Sequence, residues 1–394
     1  MKLACVVHRF GADIAGGSEG HCRLVARHLA ATHDVTIVTT TARDHVTWAN
    51  HYAPGESRDG TLRVLRFPVE RPRDLHRFRD ISDRVFRGGA DPADEEEWFR
   101  ENGPQTPTLL EFLEHRAREF DLVLFWSYRY YDAYFGLPLV RDRAILVPTA
   151  EEDPLIHVDA LTKYFALPRG FLFLTPEEEV LVGARAPRHL PREVIGCGID
   201  SPPTPRADAA TLLRAHRIEG DYILYLGRID PNKGCATLLH HFRAYMERSN
   251  SPKRLQLVLA GPANMPVPDD PSIRQLGFVD EPTRDALLAN ARVLAMPSPY
   301  ESLSMVLLEA WNHGVPALVN ARCAVLKGQV LRADGGLYYQ NAMEFAGALD
   351  YLLSKPDVAR QLGAQGRAYV DREYRWPTVM AKIERLLAAS NPSY

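Results

Sequence analysis

Cysteine is scarce in this sequence, and what there is has no pattern. Five residues, Cys5, Cys22, Cys197, Cys235 and Cys323, lie scattered without the paired spacing of a metal site. An odd, dispersed set of this kind reads as reduced thiols in the core or on the surface. The 14 histidines form no HExxH or other paired-ligand pattern, and His240 and His241 in "LLHHF" read as surface residues of a helix. Charge of one sign is also lacking: the net charge is −3 and no basic run stands out, which gives no reason to expect a nucleic-acid surface. No window approaches the roughly twenty uninterrupted apolar residues of a membrane-spanning helix. The opening "MKLACVVHRFG" is too short and too soon interrupted for a signal sequence, so a cytoplasmic location is expected. Neither an Asp-x-Asp cation motif nor the GxGxxG dinucleotide pattern is evident.

What is present is alternation. Apolar runs of strand length at "KLACVVH", "DVTIVTT", "LRVLRF", "DLVLFW", "AILVPT" and "GFLFLT" are separated by stretches of helical periodicity such as "HCRLVARHLAATH". The rhythm resumes after residue 220 with "YILYLGRI", "CATLLHHFRAYMER", "LQLVLAG", "PTRDALLANA" and "VLAMPS". A chain of 394 residues exceeds what one core usually serves. The pattern predicts an α/β protein of two Rossmann-like, doubly wound domains, 1–200 and 201–375. Three prolines in "SPPTPRAD", residues 201–208, read as the hinge between them. Residues 71–118 break the alternation and are expected as a helical insertion on the first domain. There Glu95 to Glu97 read as a solvated helix face, and Trp98 and Phe99 are offered to a second-substrate pocket. The final helices break at Trp376 and Pro377, so that 376–394 is expected to return to the first domain.

Three stretches carry chemistry. In "PSPYESLSMVLLEAWNHGVP" Glu301 and Glu309 flank seven uncharged residues. Ser304 to Trp311 favours a helix, Ser302 and Ser304 are cap residues for its start, and Glu301 falls in the loop before it. At about 1.5 Å per residue the two carboxylates lie roughly 10–12 Å apart, with the unpaired N–H groups of the first turn between them. That arrangement suits a ligand with hydroxyls at both ends and an anion in the middle. In "GRIDPNKG" Arg228 and Lys233 flank a strand-to-helix loop well made for phosphate oxygens. In "GADIAGGSE" Gly11, Gly16 and Gly17 directly follow the first strand, where α/β sheets bind ligands, and Gly16 and Gly17 allow close backbone approach.

Taken in order, "AGGSEGHCRLVARHLA", "VIGCGID", "YLGRIDPNKG", "LVLAGP", "LGFVDE" and "PSPYESLSMVLLEA" followed by "GVPALV" resemble glycosyltransferase family 4, retaining enzymes of the GT-B fold. The two glutamates are similar to that family's E-x7-E motif. The resemblance implies two domains facing a central cleft, with the C-terminal helix crossing back to the first. It also implies retaining transfer of a sugar from a UDP- or GDP-sugar to an acceptor hydroxyl, without a metal or other cofactor. Glu301 is then expected on the donor sugar, Arg228 and Lys233 on the diphosphate, and Glu309 on the ribose. Ser302, Leu303, Ser304 and Met305 with Gly16, Gly17 and Gly227 complete the donor set, and Gly277 and Phe278 meet the base through backbone atoms.

One departure stands out. Family members often place a histidine after the strand corresponding to "FDLVLFW", whereas this chain continues with Ser127, Tyr128 and Tyr130. Tyr128, Glu151 and Glu152 are the candidate acceptor contacts, and the acceptor is left open among saccharide, lipid-linked and small-molecule classes. A sugar phosphorylase or epimerase on the same architecture, or a non-catalytic nucleotide-sugar binder, would carry a similar phosphate clamp.

Overall fold

The structure is a computed structural model that describes residues 1–14, 16–88, 90–202, 208–248 and 255–391. Residues 203–207 of the proline-rich segment expected as a hinge lie outside the described residues. The chain divides into two units, one of residues 1–198 with 377–394 and the other of residues 199–376.

Unit 1 is built on an eight-stranded sheet. Its strands are β1 (Lys2–Val7), β2 (Asp34–Thr40), β3 (Gly55–Asp59), β4 (Leu62–Phe67), β5 (Leu122–Trp126), β6 (Ala144–Val147), β7 (Gly170–Phe173) and β8 (Arg192–Val194), in the order β3-β4-β2-β1-β5-β6-β7-β8. All pairings are parallel except β3 with β4. The central strands are unbroken apolar runs because a parallel sheet is covered on both faces. Its helices are α1 (Gly17–Leu29), α2 (Leu75–Arg87), α3 (Pro92–Asn102), α4 (Pro107–Arg116), α5 (Tyr131–Gly136), α6 (Ala160–Tyr164) and α7 (Pro176–Gly183).

The segment 71–118 is helical, formed by α2, α3 and α4, with Asp74 and Asp91 capping the first two. Two readings of it need correction. Trp98 and Phe99 are buried in the core of unit 1, with Phe99 stacked on Tyr134 at 3.8 Å, so neither lines a pocket. Glu95 is buried too, and its carboxylate accepts the backbone N–H groups of Asp159 and Ala160 at 3.1 and 2.7 Å, anchoring the start of α6.

Unit 2 carries a six-stranded, wholly parallel sheet. Its strands are β9 (Tyr222–Leu226), β10 (Gln256–Ala260), β11 (Ile273–Gly277), β12 (Val293–Met296), β13 (Ala317–Asn320) and β14 (Gly336–Tyr339), ordered β11-β10-β9-β12-β13-β14. Around it lie α8 (Ala209–Ala215), α9 (Cys235–Met246), α10 (Glu281–Asn290), α11 (Met305–Asn312), α12 (Ala324–Ala333), α13 (Ala342–Ser354) and α14 (Pro356–Glu373). His241 is buried against Tyr339 and Phe345 rather than exposed on α9. Helix α11 is fixed by Trp311, whose indole N–H donates to the Gly335 carbonyl at 2.7 Å. A Cβ on Gly366 of α14 would lie 2.3 Å from Trp311 Cδ1, so the indole of α11 packs directly against the backbone of α14.

Helix α15 (Trp376–Ser390) belongs to unit 1 from Pro377 onward. Val379, Ile383, Leu386 and Leu387 are buried along it. Arg385 pairs with Glu193 at 3.0 Å, and Arg169 donates to the Ser390 carbonyl at 2.9 Å.

Candidate active site

In an open α/β sheet, ligands collect beyond the carboxyl ends of the strands, where the strand order reverses. In unit 2 that point lies between β9 and β12, the central neighbours of the sheet. The loop leaving β9 carries Arg228 and Lys233, and the loop leaving β12 carries Glu301. Topology therefore brings together residues far apart in sequence: Lys233 Nζ donates to Glu301 Oε1 at 3.0 Å.

Each loop is braced from beneath. Asp230 Oδ1 accepts the N–H of Asn232 at 2.9 Å and Oδ2 accepts the Asn264 amide at 3.2 Å. Burial opposes ionisation of Asp230, but those two bonds and the charges of Arg228 and Lys233 hold its carboxyl below the usual range. Arg228 Nε lies 3.5 Å from Asp230 Oδ2, and its carbonyl accepts the Tyr225 hydroxyl at 2.6 Å. Gly234 ends the loop in the left-handed region at φ 74°, against the Pro297 carbonyl. That carbonyl also accepts the Asn320 amide at 3.0 Å. Gln329, fully buried on α12, donates to the Leu303 carbonyl. The Glu301 loop is thus held at Pro297 and Leu303, on either side of its carboxylate.

Helix α11 begins at Met305, close to the expected start, but its cap is not the one expected. Ser304 sits in the left-handed region at φ 68° and its buried hydroxyl makes no capping bond. A serine at positive φ is costly, and such strain gathers at ligand sites. The first-turn N–H groups are left without a side-chain cap from Ser304, as a helix start that receives an anion would be. Ser302 is half-buried in the loop before it.

Glu309 is half-buried on α11 and paired with Arg284 of α10. Burial pushes its carboxyl above the ordinary glutamate value, against the pull of Arg284. The sequence reading missed Arg284, because nothing in the spacing of "PTRDALL" points to a glutamate 25 residues on. Gly227 donates its N–H to the Ala260 carbonyl at 2.9 Å, and the Gly277 carbonyl accepts the Gly261 N–H at 2.7 Å. Phe278 beside it is 81% exposed, a large ring offered to solvent at the carboxyl end of β11.

In unit 1 the order reverses between β1 and β5. Gly16 and Gly17 follow β1 at the start of α1. Ser127 and Thr149, just past β5 and β6, both adopt positive φ, at 68° and 49°. Tyr128 between them is fully buried in the core, its ring 5.4 Å from Phe165. Burial therefore removes Tyr128 from the acceptor contacts. Tyr130 instead stacks on His8 at 3.7 Å. Glu151 is half-buried, while Glu152 is exposed and pairs with His157 at 2.6 Å. The loop carrying them is tied by Glu178, whose carboxylate accepts the N–H groups of Ala150 and Leu174, each at 2.5 Å. Burial pushes the Glu178 carboxyl up to about 8. Asp132 on α5 is wholly buried, and neither of its carboxyl oxygens finds a hydrogen-bond partner among the described residues. Burial pushes it up to about 6, against the pull of His8. A lone Asp or Glu on a helix carries no sequence signal that would separate these buried carboxyls from solvated ones.

Among the described residues no helix is long and apolar enough to cross a membrane. Residues 220–355 match the family model described as "Glycosyl transferases group 1". An MMP alpha-(1->4)-mannosyltransferase of Mycolicibacterium hassiacum is 31% identical over 183 residues, 43% of this chain and 43% of that protein. The chain spans 42–43% of the length of the first curated relatives it matches. Among solved structures, sucrose-phosphate synthase of Thermosynechococcus elongatus superposes with a TM-score of 0.71 at 19% identity, covering 99% of both chains. Anabaena HepE, solved in complex with UDP and glucose, gives 0.72 at 14% identity over 99% of this chain and 100% of that one. The likeness over the full length establishes the two-unit GT-B architecture.

Proposed function

We propose that this protein, whose residues 220–355 match the model of the glycosyl transferases group 1, moves a sugar from a nucleoside-diphosphate sugar to an acceptor hydroxyl with retention of configuration. The observation that carries this reading is the juxtaposition of Lys233 and Glu301 at the switch point of unit 2, with Glu309 farther along α11. UDP or GDP is the expected carrier. A UDP-sugar is favoured by the UDP and glucose bound to the Anabaena structure, and a hexose by the mannosyltransferase relative.

Glu301 binds hydroxyls of the donor sugar and, between turnovers, neutralises Lys233. When donor enters, Lys233 and Arg228 turn to the diphosphate, and the N–H groups from Leu303 to Met305 receive the distal phosphate. Glu309 exchanges its contact with Arg284 for the ribose hydroxyls. As the bond from sugar to phosphate breaks, negative charge grows on the diphosphate. Fixed cations and N–H dipoles stabilise that charge more than they do the ground state. These groups supply the positive charge that a divalent ion would otherwise bring, so transfer is expected without a metal. The acceptor hydroxyl attacks from the leaving-group face and gives its proton to a phosphate oxygen.

The test is a thermal-shift screen against UDP, GDP, ADP and TDP and their sugars, followed by NMR of the product anomer. A shift selective for one diphosphate, lost in Lys233→Ala, supports the donor site. Stabilisation by none of them would overturn it. An inverted anomer would overturn retention alone, and product formation that requires inorganic phosphate would point to a phosphorylase.

A further inference from the structure

The loop that follows β2 in unit 1 is ringed by arginines. Arg9, just beyond β1, donates to the Arg43 carbonyl at 2.8 Å. Arg73, beyond β4, donates to the carbonyls of His45 and Val46 at 3.3 and 3.2 Å. Arg66, near the end of β4, lies 4.2 Å from the centre of the Tyr52 ring. The loop they brace lines a cleft of about 390 Å³, walled by Arg43, Asp44, Ala49, Asn50 and His51. That volume falls within the range of small-molecule sites.

The charges around this cleft are unevenly matched. Arg9 is paired with the buried Glu19, and Arg43 with Asp13 at 3.0 Å. Arg66 and Arg73 differ: both are half-buried, and the bonds they make go to neutral oxygens. Arg66 donates to the carbonyls of Phe10 and Thr40, and Arg73 to those of His45, Val46 and Asn102 and to the Asn102 side-chain amide. The acids that act on Arg66 are engaged elsewhere, Asp59 with Arg23 and Arg27, and Asp13 with Arg43 and the Tyr52 hydroxyl. Asp44 acts on Arg73, but its carboxylate accepts the N–H groups of Val46 and Thr47. Burial holds both guanidinium groups below the usual arginine value, Arg73 at about 10. A cation drawn partly out of water without a paired counter-ion is unfavourable, and an anion brought beside it offsets that penalty.

Arg43 and His51 are the groups through which such an anion is met. The Arg43 side chain is 51% exposed and is held at one edge, through Nε, by Asp13. His51 is exposed beside it, its ring set edge-on to Tyr52 at 4.9 Å. Resting on the transfer reading above, we propose that this cleft receives the acceptor, and that the acceptor is a small sugar or polyol bearing a phosphate or carboxylate, bound by Arg43 and His51. A guanidinium fork pairs with either oxyanion. Arg66 and Arg73 hold the loop and add positive field, and Asp13 competes with the ligand for Arg43.

The test is titration calorimetry in the Lys233→Ala background, where the phosphate clamp of unit 2 is disabled, with inorganic phosphate, glucose 6-phosphate, glucuronate and uncharged glucose as probes. The charged probes should bind and glucose should not, and the order of glucose 6-phosphate and glucuronate separates phosphate from carboxylate. Arg43→Gln should weaken the tighter probe about 10-fold, whereas Asp13→Asn, which releases the guanidinium, should tighten it about 3-fold. A gain of affinity cannot arise from a misfolded variant. Saturation by none of the charged probes up to about 20 mM, or affinities unchanged in both variants, would overturn the anion site. Sugar transfer whose acceptor KM is unchanged in Arg43→Gln would overturn its assignment to the acceptor. Wild-type protein that bound the charged probes but no nucleoside diphosphate would overturn the donor reading, and the acceptor assignment with it, while the anion site stood.

Discussion

Lys233 Nζ and Glu301 Oε1, 68 residues apart in sequence, stand 3.0 Å from each other at the carboxyl edge of the second sheet. On the donor reading proposed above, an entering diphosphate competes with Glu301 for the ammonium, and a sugar competes with Lys233 for the carboxylate. Lys233→Ala should weaken nucleoside-diphosphate binding about 10–100-fold by calorimetry. Glu301→Gln should instead tighten or preserve diphosphate binding, because it frees the lysine, while lowering kcat about 100-fold. Equal loss of affinity in both variants would show that the pair acts only as a structural bridge.

Glu309 and Arg284 predict a pH dependence. Burial raises the Glu309 carboxyl above the ordinary glutamate value. The carboxylate that would accept ribose hydroxyls is therefore lost at higher pH than for an exposed glutamate. Nucleotide affinity should fall on acidification, starting above the usual glutamate range, and Glu309→Gln should be weaker at pH 7 and nearly flat. Arg284→Ala removes the opposing cation and should move the loss to still higher pH. Titration calorimetry between pH 5 and 8 reads all three.

Asp132 predicts a gain in stability. Its carboxyl rises from 3.8 to about 6 on folding, so between those values the native state binds the proton more tightly than the unfolded chain does. Stability contributed by this group therefore falls as pH rises through that window and stays low above it. Asp132→Asn should stabilise the protein by about 1–3 kcal/mol at pH 7.5, with the gain shrinking toward pH 4.5. Urea denaturation at the two pH values is the measurement.

Gly234 predicts a loss. At φ 74°, with the position of a Cβ 2.3 Å from the Pro297 carbonyl, alanine is strained both in backbone and in space. Gly234→Ala should cost about 2–4 kcal/mol in thermal or urea unfolding. Because the displaced carbonyl belongs to the Glu301 loop, nucleotide affinity should fall with it. Undiminished stability would mean that Pro297 yields readily and that the loop is softer than its contacts imply.

The sequence makes the central strands plain. "LACVV", "LVLFW", "YILYL" and "LVLA" are continuous apolar runs because both faces of a parallel sheet are covered. The short edge strands β3 and β8, "GESRD" and "REV", carry no such run, since an edge strand is half solvated and owes its shape to its neighbour. Glu301 and Lys233 were placed by the sequence in the loops that leave β12 and β9, and Glu309 in the helix that follows, because turn residues and a helical run flank them. Their partners were not. Arg284 on Glu309, Gln329 under Leu303 and Glu19 beneath Gly16 are ordinary helix residues, and only the packing of distant segments decides which face they occupy. Ser304 differs from its expectation for a related reason: serine at a helix start favours capping, but here its backbone is left-handed at φ 68° and its hydroxyl makes no capping bond. Tyr128 followed the same logic in reverse, an aromatic in a site-forming loop that tertiary packing drew into the core.

Unit 1 is discontinuous, its first 198 residues completed by α15 only after all of unit 2 has intervened. On a ribosome, the part made first is therefore the part finished last. While unit 2 is being synthesised, the surface that will receive Val379, Ile383, Leu386 and Leu387 stays uncovered, and Arg169 and Glu193 wait for their partners. Domains generally fold in order of emergence. Here the second unit can mature ahead of the first, and the nascent chain carries an exposed apolar surface for as long as that takes.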